Sequence, residues 1–188
     1  MKKLILLSIL AFSFTSIFAQ STQKERDLIQ YHYSGFVSDF GGLDTLSIKA
    51  VYNSDNKLYV ISSKILNSNK SFLLKVDETN DVTTYMKYLF ETDLPKNLTA
   101  SDSATTNGFM LIKSLDSDNY FTVYFKNGVR TFSEDEIITE RAASPLIDCI
   151  KRVLRGMNFG QWCIVIATQP ESMAGIILEC AINVYIVH

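Results

Sequence analysis

The sequence predicts an α+β protein, mainly β: an antiparallel meander of seven to eight strands, forming a sheet, sandwich or small barrel, with short C-terminal helices. Three observations carry this. From Leu46 to Phe132 the chain repeats short runs of β-branched, aromatic and aliphatic residues, each followed by Asn, Asp, Ser or Gly. Asn127-Gly128 lies between two apolar runs, the strongest short hairpin signal in the chain. After Ser144-Pro145 the period changes from strand-like to helical.

Residues 1–19 are expected to be a signal peptide. Lys2 and Lys3 precede an apolar run from Leu4 to Phe12, and small residues lead to a cleavage site near Ala19. That run is shorter than the ~20 residues a membrane span needs. The mature protein is therefore expected to be secreted or periplasmic. Residues 20–45 form an N-terminal segment carrying His32 between Tyr31 and Tyr33, read as a partly exposed aromatic neighbour.

Residues 46–132 are the β-rich meander. Leu46 to Tyr52 turns at Asn53-Ser54-Asp55-Asn56 and returns as Lys57 to Lys64; Asn67 to Lys70 leads into Ser71 to Val76, and Asp77 to Asn80 turns again. Asn and Asp suit these places because their side chains bond nearby backbone and they tolerate left-handed φ. Val82 to Phe90, Asn97 to Ser101, Gly108 to Ser114, Tyr120 to Lys126 and Val129 to Phe132 complete the set, with Asp116 to Asn119 as a hairpin turn. The mixed pattern Phe121-Thr122-Val123-Tyr124-Phe125 predicts that part of the sheet is covered on both faces.

Residues 133–188 are a helical, apolar segment expected to pack on the sheet. Ser133-Glu134-Asp135-Glu136 matches a capping box that starts a short helix. Pro145 suits a first helical turn, and Leu146, Ile150, Val153, Leu154 and Met157 share one side. Trp162 to Ala167 and Met173 to Val187 are strongly apolar; the second run fits a helix, while Ile182 to Ile186 also fits a closing strand. The two alternatives for this tail are core over the open side of the sheet, or a membrane-active segment. From Ser144 onward acidic and basic residues balance, which lacks the cationic face of segments that bind anionic membranes.

Removing 19 of the 188 residues leaves a chain able to bury about two-thirds of its unfolded surface. With Lys2 and Lys3 gone, 16 basic residues face 20 acidic ones and no basic cluster remains, so nucleic acid is not an expected partner. Cys149, Cys163 and Cys180 allow one disulfide in an oxidising compartment, with the pairing open, or three buried thiols. Only His32 and His188 are present, and no HExxH, GxSxG, CxxC, Walker or GxGxxG motif occurs. No catalytic residue, cofactor or metal ligand is assigned. Asp116-Ser117-Asp118-Asn119 begins like a calcium loop, but Tyr120 and Phe121 stand where an oxygen ligand and a glycine belong.

Ser71-Phe72-Leu73-Leu74-Lys75-Val76 and Gly108-Phe109-Met110-Leu111-Ile112-Lys113 stand a blade-like interval apart, and residues 46–130 resemble the blade repeats of secreted bacterial β-propeller proteins. Residues 144–188, with three cysteines around short apolar runs, resemble cysteine-containing bacteriocin-like C-terminal peptides. The expectation is a secreted non-enzymatic protein that binds an unknown protein or surface partner. The alternatives are a secreted precursor of a membrane-active C-terminal peptide, as the second resemblance implies, and a small-barrel carrier of an apolar ligand.

Overall fold

A computed structural model of the chain describes residues 19–35, 41–133 and 144–185. The expected signal segment up to residue 18, the Glu134–Glu136 capping box and His188 lie outside these residues. The antiparallel meander with C-terminal helices is present. One sheet runs in sequence order: β1 (Ala19–Gln20), β2 (Lys49–Asn53), β3 (Leu58–Lys64), β4 (Lys70–Asp77), β5 (Thr84–Thr92), β6 (Gly108–Ser114), β7 (Tyr120–Lys126) and β8 (Val129–Phe132). Every neighbouring pair is antiparallel, and β1 and β8 are the two edges. The sheet is therefore open, which settles the fold as a sheet rather than a closed barrel.

Two helical layers flank it. Helix α1 (Gln23–Ser34) lies on one face; α2 (Pro145–Gly156), α3 (Phe159–Ala167) and α4 (Glu171–Tyr185) lie on the other. Strand alternation divides the core accordingly. Leu58, Val60, Leu73, Phe90, Met110, Phe121 and Val123 meet the three-helix layer, while Ile61, Phe72, Leu74 and Leu89 meet Ile29 and Tyr33 of α1. Strands β3 and β4 are thus buried on both faces and read as continuous apolar runs.

The C-terminal helices are set by local chemistry. Pro145 opens α2 behind its N-cap Ser144. Asn158 caps α3: its side chain accepts from Gln161 N at 3.0 Å, and Gln161 Oε1 accepts from Asn158 N at 2.8 Å. Trp162, Ile166, Met173, Ile177 and Cys180 are all buried in the core they share with the strands. Residues 182–185 continue α4 instead of forming a closing strand.

Two strand expectations are corrected. Asn97 to Ser101 is no strand: Thr99 N and Oγ1 both donate to Asp102 Oδ2 at 2.7 Å, and this local cap starts a 3-10 turn over Ala100–Ala104. The strand expected from Leu46 begins only at Lys49, because Asp44 accepts from Leu46 N at 3.2 Å and nucleates a 3-10 turn over Thr45–Ser47.

Candidate functional site

Cys149 of α2 and Cys180 of α4 form the disulfide, with Cα atoms 5.6 Å apart, and Cys163 is a half-buried free thiol. Burial raises the Cys163 pKa, which keeps it in the less reactive thiol form. The bond is compatible with an oxidising, extracytoplasmic compartment. His32 is half-buried and packs on Tyr85 at 4.3 Å between ring centres and on Tyr31 at 5.3 Å; burial lowers its pKa. Asp116 serves the β6–β7 turn region by accepting from Lys87 N at 2.6 Å and pairing with Lys87 Nζ at 3.2 Å. No group of three metal-ligating side chains occurs among the described residues.

An open cleft of about 220 Å³ lies between α1 and the β2–β3 turn, bordered by Lys24, Glu25, Tyr52, Lys57, Tyr59 and Glu78. Three of its four charges, Lys24, Glu25 and Glu78, are committed internally. Glu78 Oε1 accepts from Lys24 Nζ at 2.9 Å and from Tyr59 OH at 3.2 Å. The Lys24 hydrogen bond lowers the Glu78 pKa and its reciprocal raises that of Lys24, while burial and then Glu78 raise that of Tyr59. Glu25 is buried and accepts from Thr22 N at 2.7 Å, closing the α1 capping box. The cleft is a closed set of contacts rather than an acid and base facing an empty centre.

The uncommitted chemistry lies elsewhere, on the α1 side of β6, β7 and β8. An α-helix with side chains is ~10 Å across, and strands stand ~4.8 Å apart, so one helix shields about two strands. Helix α1 touches β3 and β4 accordingly. Among the described residues three helices lie on the other face and one on this face. The apolar cluster under α1 includes residues of β2 to β5 and none of β6 to β8.

On β7, Phe121, Val123 and Phe125 point into the three-helix core, so Tyr120, Thr122, Tyr124 and Lys126 point the other way. Tyr120 is 39% and Tyr124 48% exposed. Lys113 stands opposite Tyr120, Leu111 opposite Thr122, and Phe109 opposite Tyr124, which faces Thr131 of β8; Lys126 faces Val129. The expected cover on both faces holds at Phe121, Thr122 and Val123, which are all buried, and ends at Tyr124. Both-face burial runs along most of β3 and β4, whereas on β7 it stops at Tyr124, whose ring borders solvent, which its hydroxyl tolerates.

The charges of this face are partly paired. Glu91 pairs with Lys70 at 3.6 Å and Asp116 with Lys87 at 3.2 Å, while the exposed Asp93 accepts from Phe109 N at 2.6 Å. Lys113 and Lys126 are exposed and make no ion pair among the described residues. The result is a pair of half-exposed tyrosines separated by the buried Thr122, with a lysine at each end that has no ion pair among the described residues. Sequence reasoning passed over it because the same tyrosines serve equally well inside a covered sheet.

Among the described residues the architecture is an open eight-strand meander with three α-helices on one face and one on the other. The chain matches no protein-family model, and neither the curated proteins nor the solved structures include one similar to it.

Proposed function

We propose that this is a secreted, non-enzymatic binding protein that meets its partner through the open face of β6, β7 and β8. The observation that carries the reading is the exposure of Tyr120 and Tyr124 on a sheet half that no described helix covers. Secretion rests on the charged-then-apolar order of the first residues and is supported by the Cys149–Cys180 bond. No single described helix is long and apolar enough to cross a membrane; α3 and α4 together have the composition but are bent by 112° at their junction. Most apolar side chains of α3 and α4 lie in the core shared with the strands, with Ile164 exposed, and the disulfide ties α4 to α2. Both features support a structural role for the tail over release as a membrane-active peptide.

The test has two arms. Expressed with its own N-terminus, the chain should be recovered outside the cytoplasm beginning at or near Gln20. Labelled mature protein should bind cell-envelope material saturably, and the double variant Tyr120→Ala/Tyr124→Ala should lose that binding with its melting temperature unchanged. Binding that the double variant retains in full counts against the open face.

A further inference from the structure

We draw no further inference here: the strongest candidate, the face of β6, β7 and β8 around Tyr120 and Tyr124, belongs to the site already described, and nothing in the structure shows what covers it.

Discussion

The Lys75 ammonium sits 5.1 Å from the centre of the Tyr185 ring and 3.8 Å from Asp77 Oδ2. It belongs to a central strand, is 2% exposed, and has the last residue of α4 over it. Asp77 is in turn held by Thr79, whose N and Oγ1 donate to Oδ1 at 3.1 and 2.7 Å. Removing an ammonium from water costs more than one ring and a distant carboxylate return, so burial lowers the Lys75 pKa and Asp77 only partly opposes it.

The sign of the pH effect follows. Between the lowered folded value and the unfolded one near 10.4, the unfolded chain binds more protons, so this lysine makes stability rise with pH across that window. Lys75→Met should leave the protein as stable as before or stabilise it by ~1 kcal/mol at neutral pH. It should also flatten the alkaline rise, as urea melts across pH would show. A clear loss of stability at neutral pH would mean that the Tyr185 and Asp77 contacts outweigh the desolvation.

The Cys149–Cys180 bond closes a loop of separation 31, for which chain entropy gives roughly 3–4 kcal/mol. Cys149→Ser/Cys180→Ser should lower unfolding stability by about that amount, with little change in far-UV circular dichroism at low temperature. Alkylation of the unfolded, unreduced protein should modify Cys163 alone; modification at Cys149 or Cys180 would contradict the pairing.

The legible parts of this fold were those decided within a few residues. Asn127-Gly128 announces its hairpin because both residues need positive φ, 49° and 73° in the structure. Pro145 behind Ser144 announces α2 in the same way. What stayed hidden depends on residues far apart. The choice of Cys180 over Cys163 as the partner of Cys149 is made by how α2 lies against α4. The alternation along β7 was present in the sequence, but whether Tyr124 meets a helix or water depends on how many helices lie on each face. The 3-10 turn at Ala100–Ala104 was missed for a different reason: Thr99 and Asp102 are capping residues inside a stretch that otherwise reads as a short strand.

Gly128 is more than a turn residue. Its φ is +73°, and a Cβ there would collide with the backbone carbonyl of Ser103 in the 3-10 turn. Its own N–H donates to Thr106 O at 2.9 Å, fixing the β7–β8 hairpin to the segment just after that turn. Gly128→Ala combines backbone strain with a clash against main chain and should cost at least ~2 kcal/mol. Gly160→Ala, in α3 with no positive φ and nothing closer than Asn158 Oδ1 at 3.4 Å, should be neutral or mildly stabilising. Urea midpoints for the two variants should separate clearly; equal midpoints would mean the hairpin does not dock as described.

Trp162 is the single tryptophan of the chain, and it reports directly on whether the C-terminal helices are core. It is 0% exposed, packs edge-to-face on Phe125 with ring centres 5.2 Å apart, and lies 6.0 Å from the Arg130 guanidinium. Its emission should be that of a buried indole and resist iodide quenching. Ile177 of α4 is equally buried, in the same cluster as Val60 and Leu73. Ile177→Ala should cost ~2–5 kcal/mol, the range for truncating a buried isoleucine. Because one core joins α4 to the strands, tryptophan emission and far-UV dichroism should report a single coincident transition in this variant as in the parent chain. Fluorescence that changes well before the strands unfold would show that the helical layer is held less firmly than this shared core requires.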